Sequence, residues 1–218
     1  MPNWCNNRVV ISHTDTAKLE ALVGAIKEGN FLKHIIPIPE DLNIVAGRVG
    51  ADDNPDQIEL ERKSAENLEK YGASNWYDFC TSRWGTKWDV DAYDPEEVKI
   101  DQFGQVEFGF DSAWSPPMGI YEEMTRQGYT VEATYYEPGM GYVGRCDGSP
   151  DFGFTDDCYD LGGLKSKDIV DAIGEELDDE YGISESMAEY EAEEEDELQE
   201  WYEDGVEKTG LTPHKAHE

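Results

Sequence analysis

Trp84-Gly85-Thr86-Lys87-Trp88 sets a cation between indoles at what reads as the mouth of a strand, and Trp114-Ser115 stands at a helix start. Tryptophan offers a large apolar face with a single donor. Trp84, Lys87, Trp88, Trp114 and Tyr136 are therefore the candidate lining of a ligand or peptide pocket. Packing at two sheet–helix junctions would account for the same side chains. Gly139-x-Gly141-x-x-Gly144 has the spacing of a dinucleotide fingerprint, which needs a strand feeding a turn that opens a helix. Here the glycines follow Pro138 and run into a strand, so a glycine-rich hairpin is expected. Asp151-Phe152-Gly153 spells the kinase magnesium triplet without a glycine lid or catalytic loop. Asp151, Asp156, Asp157 and Asp160 lack EF-hand spacing and read as a solvated acidic loop. His13, His34, His214 and His217 form no H-E-x-x-H, and Cys5, Cys80, Cys146 and Cys158 form no C-x-x-C. No catalytic set, metal site or cofactor site is complete. A cysteine whose histidine partner is adjacent only in space would leave no such signature.

The acids are the strongest signal. The 218 residues hold 50 Asp plus Glu against 17 Lys plus Arg, a net charge of −33. Residues 155–218 carry −19 of it. Glu191, Glu193, Glu194, Glu195, Asp196, Glu197 and Glu200 fall within ten residues. On a helix, acids one turn apart lie about 5.4 Å apart along the axis. That is of the order of the phosphate repeat of a nucleic-acid strand, about 3.4 Å. Such a surface could compete for the cationic groove of a nucleic-acid-binding protein. Charge that merely keeps a helix soluble is the alternative. Halophilic adaptation fits poorly, since Lys outnumbers Arg by 11 to 6. Direct binding of DNA, RNA or an anionic membrane is opposed by the charge. No run approaches a membrane span, and no signal peptide is legible. Scattered cysteines in a chain with a real core fit reduced thiols in a cytosol, whereas two disulfides would need an oxidising compartment.

The elements that must position these residues follow from periodicity. Asn7–Ser12 reads as a strand, and Leu19, Leu22, Val23 and Ile26 as a helix face capped by Thr14 or Asp15 and closed by Gly29. Phe31–Asn43, broken by Pro37 and Pro39, is expected to be an irregular arm. Residues 46–75 form a polar insertion with a helix ending near Tyr71, and Asn75–Arg83 a short helix. Lys87–Tyr93, Gln105–Asp111 and Tyr129–Tyr136 alternate as half-buried antiparallel strands, with Tyr142–Cys146 as a fourth. The second of these turns Val106, Phe108 and Phe110 inward. Ser115 is expected to cap a helix with Pro116 in its first turn, Met118, Tyr121 and Met124 on its face and Gly128 as its stop. The order β-α-β-β-α-β predicts an α+β, ferredoxin-like split βαβ sandwich over residues 1–153. An acidic, largely helical segment follows over 154–218, with Ile169, Ile173 and Leu177 on one helix and Met187, Tyr190, Leu198 and Trp201 on another.

Four motifs carry a resemblance: Met1-Pro2-Asn3-Trp4-Cys5-Asn6-Asn7, Trp84 to Asp89, Ser112 to Pro117, and Tyr136-Glu137-Pro138-Gly139-Met140. Over about residues 1–150 the chain resembles the YubB-type family of phage and conjugative-plasmid proteins. The resemblance implies a ferredoxin-like domain and a mobile-element origin, and supplies no catalytic residues. The expected function is a non-enzymatic interaction protein of the host cytoplasm. It would bind a basic host protein, such as a defence factor, by mimicking nucleic acid. A ligand-binding or catalytic domain built on the Trp84, Trp88 and Trp114 region is the alternative.

Overall fold

A computed structural model describes residues 2–209, with side chains through Tyr202 in the last helix. Two compact units are present, Met1–Asp160 and Leu161–Glu218. The first is mixed α+β. Its antiparallel sheet of five strands has the order β2-β1-β3-β4-β5, with β1 Trp4–Ser12, β2 Gln105–Ala113, β3 Thr130–Glu137, β4 Tyr142–Ser149 and β5 Gly153–Asp160. Alternation sets its faces: Val9 and Ile11, Val106, Phe108 and Phe110, and Val131 and Ala133 are all buried. Helices α1 (Thr16–Lys27), α2 (Phe31–Ile35) and α5 (Met118–Arg126) supply Leu22, Leu32, Ile120 and Met124 to the same core. Phe31 meets Phe108 and Phe110 edge-on, with ring centroids 5.2 and 5.9 Å apart.

Local chemistry sets the helix limits. The Asp15 side chain accepts from Ala17 N at the start of α1, and Gly29 follows its end at φ +66°. The polar insertion contains α3 (Pro55–Tyr71), with Asn54 as cap, Pro55 in the first turn and left-handed Gly72 at the close. Asn75 accepts from Tyr77 N and Asp78 N to open α4 (Trp76–Arg83).

Several expectations are corrected. Lys87–Tyr93 does not join the sheet as a strand; Ala92 forms a single bridge to Phe110. The cause is Asp89, whose carboxylate accepts from Leu32 N at 2.8 Å and Lys33 N at 3.1 Å. Those bonds tie the segment to the start of α2 and keep it off the ladder. They also give Phe31–Ile35 its helical turn where an irregular arm was expected, with a 3₁₀ turn at Glu40–Leu42. Ser115 does not cap α5, which opens after Pro117; its hydroxyl donates to Gly85 O. Asp156, Asp157 and Asp160 lie on the edge strand β5 and not in a loop. Charges on an edge strand discourage pairing with another chain. The first unit thus runs past Gly153 to Asp160.

The second unit is helical. It comprises a 3₁₀ turn at Ser166–Asp168, then α6 (Ile169–Ile173), α7 (Glu175–Tyr181) and α8 (Ile183–Thr209). Ile169, Ile173, Leu177 and Ile183 are among its buried apolar residues. The Asp178 carboxylate accepts from Ser184 N at 2.7 Å, fixing the turn into α8. His214 and His217 lie outside the described residues.

Candidate functional site

The four motifs, three of them carrying tryptophan and all far apart in sequence, meet at one end of the sheet, where β1 begins, β2 and β3 end and β4 begins. Trp4 pairs with Ala113, and Asn6 stands between Asp111 and Tyr136. Trp114 N donates to Asn3 O at 2.9 Å, and Trp114 O accepts from the Tyr142 hydroxyl at 2.7 Å. These two bonds pin Trp114 at φ +66°, the one positive φ among described non-glycine residues. A side chain there costs about 1–2 kcal/mol, so the surroundings impose the conformation. Thr86 Oγ1 donates to Ala113 O at 2.9 Å, binding the Trp84–Trp88 loop to the end of β2. Gly85 lies so close to α5 that an added Cβ would stand 3.2 Å from Met118 N. Glycine is required there by contact as well as by its φ of +88°.

Beneath this corner lies a polar cluster. Asn7 is fully buried and its Nδ2 donates to Cys5 O at 2.8 Å and Ser112 Oγ at 2.9 Å. Its Oδ1 has no partner among the described residues. Burial pushes the Cys5 thiol up to about 12, so it is no nucleophile at neutral pH. Glu137, also buried, accepts from Gly139 N and Met140 N and closes the β3–β4 turn. The Gly139–Gly144 sequence is thus a hairpin, as its surroundings predicted.

Lys87 is the centre of an aromatic cage. Its Nζ lies 4.2 Å from the Trp88 ring centroid and 5.5 Å from those of Tyr77 and Trp114. Trp88 is 39% exposed and meets Trp4 at 6.4 Å. Each cation–ring contact is worth about 0.5–1 kcal/mol at an exposed site. Beside the cage opens a cavity of about 480 Å³ lined by Lys33, Trp76, Trp84, Lys87 and Trp88, with Asn43 and Glu40 as polar members. Trp84 forms its floor, 1% exposed, and its Nε1 donates to Ile36 O at 3.0 Å. Burial pushes the Cys80 thiol on the lining up to about 12. Burial likewise raises Asp89, against the opposing pull of its backbone N–H donors.

Of the expected pocket residues, Trp84, Lys87 and Trp88 line the cavity, and Trp114 reaches it only through Lys87. Tyr136 does not line it; it stands on β3 opposite Asn6 and Val143. Tyr77, Trp76 and Lys33 were missed. The adjacent pair Trp76-Tyr77 in a short polar helix was the available signal.

The acidic residues separate into two sets. Glu191 is tied down, accepting from Ser166 N at 3.1 Å and Ser166 Oγ at 2.8 Å, with Lys165 at 3.7 Å. These donors, the hydroxyl first, hold its carboxyl below the usual range. It is therefore not part of a free surface. Glu194 accepts from the Tyr190 hydroxyl at 2.9 Å. From Ala192 to Tyr202 every residue of α8 is exposed, including Glu193, Glu194, Glu195, Asp196, Glu197 and Glu200. Tyr190, Leu198 and Trp201, at 61%, 65% and 76% exposure, share one face of this helix. Glu193 stands three and four residues before Asp196 and Glu197, and these stand four and three before Glu200, on a neighbouring face.

No group of three His, Cys, Asp or Glu side chains suited to a metal ion occurs among the described residues. None of their helices is long and apolar enough to cross a membrane. No family model and no curated protein matches the sequence. Among solved structures, the crystal structure of protein api92 from Yersinia pseudotuberculosis, of the DUF1281 family, is similar at 11% identity with a TM-score of 0.41. The match covers 75% of this chain and 100% of that one.

Proposed function

We propose that the chain is a non-enzymatic interaction protein whose α8 binds a basic, nucleic-acid-binding host protein by presenting a nucleic-acid-like row of charge. The observation that carries this reading is the exposed row Glu193, Asp196, Glu197 and Glu200, none of which has a cation partner among the described residues. Leu198 and Trp201 lie beside that row and give an apolar anchor, as an amphipathic helix uses in a groove. Charge that served solubility alone would not require large apolar side chains on the same turns. The first unit is read as ferredoxin-like: with the Ala92 segment counted as a vestigial second strand, its position beside β2 completes a βαββαβ arrangement. The convergence of the four motifs supports the YubB-type resemblance and with it a mobile-element origin. The four free thiols suit a reducing host cytoplasm.

The test is competition. A protein captured from bacterial lysate by the full chain is purified and titrated with duplex DNA or RNA. Nucleic acid should displace the chain. Replacing Glu193, Glu197 and Glu200 by Gln and Asp196 by Asn together should leave the melting curve in place and slow association at low salt. If nucleic acid fails to displace the chain and the quadruple variant binds as before, the mimicry reading falls.

A further inference from the structure

The cavity beside Lys87 sets two lysines, Lys33 and Lys87, against a single carboxylate, Glu40, on its lining. In a chain of net charge −33, most described cations are engaged by carboxylates: Arg8 with Glu107, Arg62 with Glu59 and Glu66, Lys70 with Asp41, Arg126 with Glu122 and Glu123. Lys33 and Lys87 both line the cavity, and neither ammonium makes an ion pair or hydrogen bond with a described residue, the Asp89 carboxylate acting on Lys33 only through space. Lys87 is instead held by aromatic faces, which attract its charge without occupying its N–H donors. Two cations so placed beside a recess are suited to an anion that enters it.

The walls specify the rest of the ligand. Trp76 and Trp88 offer indole surface, Trp84 gives an apolar floor fixed by its bond to Ile36 O, and Asn43 supplies a donor and an acceptor. A volume of about 480 Å³ is in the range of small-molecule sites. We propose that this cavity binds a small anion bearing a planar ring, the ring against the tryptophans and the anionic group on Lys33 and Lys87. A nucleoside monophosphate and an aromatic carboxylate share that chemistry. The inference is independent of the function assigned to α8.

Calorimetric titration of the full chain with AMP, CMP and indole-3-acetate tests it, with adenosine, indole and inorganic phosphate as partial probes. At least one complete anion should bind saturably at one per chain, about tenfold or more tighter than its uncharged or ringless fragments. Lys87→Gln and Lys33→Gln should each weaken it about tenfold, while Lys165→Gln, in the second unit, leaves it unchanged. Binding of the monophosphates alone assigns the anion to a phosphate, and of indole-3-acetate alone to a carboxylate. The side chain of Lys33 is exposed, so Lys33→Gln reads the site even if Lys87→Gln unfolds. No saturable binding by any complete anion overturns the proposal. So does binding that both lysine variants retain, or equal binding of adenosine, indole or phosphate alone.

Discussion

The Trp–Lys corner of the first unit and the outer turns of α8 both present large aromatic side chains, under opposite rules. In the corner each aromatic is positioned by something else. Trp84 is bonded to Ile36, Trp114 is pinned through its backbone at both ends, and Trp88 lies between Lys87 and Trp4. On α8, Leu198 and Trp201 project from a helix whose residues are exposed from Ala192 to Tyr202. A preorganised recess suits a small ligand, because little ordering remains to be done on binding. An exposed amphipathic stripe suits a partner that brings its own groove. Aromatic content alone therefore does not say what a surface recognises; how the rings are held does.

The sharpest contrast is between two tryptophans. Trp84→Ala should destabilise the fold by about 3–5 kcal/mol, through a cavity and the orphaned Ile36 carbonyl. Trp201→Ala should stay within about 0.5 kcal/mol. Urea melts of the two variants decide it, and a comparable loss for Trp201→Ala would show that α8 is packed and not free.

A smaller effect separates backbone from ring at the corner. Trp114→Gly and Trp114→Ala both remove the indole from Lys87, but only glycine is at ease at φ +66°. The glycine variant should be about 1 kcal/mol more stable than the alanine variant. Equal melting temperatures would mean that the chain relaxes and that the conformation is not imposed by Asn3 and Tyr142.

The smallest effect concerns the joint between α8 and the Ser166 turn. The folded state holds the Glu191 carboxyl below its ordinary value of about 4.3. Its contribution is thus complete above that value and is lost as pH falls through the lower folded one. The Ser166 amide should lose hydrogen-exchange protection only as pH falls below the usual carboxylate range, and Glu191→Gln should reproduce the loss at neutral pH. Unchanged protection in the variant would remove Glu191 as the tether.

Much of this was legible in the sequence, where partners are near or patterns are periodic. Val106, Phe108 and Phe110 alternate and are buried, and Asp15, Asn75 and Gly72 act at helix limits through bonds of a few residues' span. What misled was a distant side chain acting on backbone. Lys87–Tyr93 alternates as well as any strand, yet Asp89 commits it to Leu32 and Lys33, far back along the chain. The α5 start failed for a related reason, since the Ser115 hydroxyl is taken by Gly85. The cage around Lys87 draws on α4, the Trp88 loop and the end of β2. No local pattern records such a meeting, whereas the acidic run of α8 needs no partner to be read.

The place of β1 in the sheet sets a timetable for making the molecule. Asn7 lies between Phe110 and Tyr135, so β1 can pair with neither of these neighbours until the chain has grown past Phe110. At about 5–20 residues per second, synthesis of the stretch between β1 and the end of β3 lasts on the order of ten seconds. Through that interval Val9 and Ile11 belong to a nascent segment with no ladder to join, while α1 and α3 are free to form from local contacts. Sequence-distant pairing of this kind makes the sheet the slow step. In a cell, the yield of folded protein then depends on how well Val9 and Ile11 are shielded while they wait.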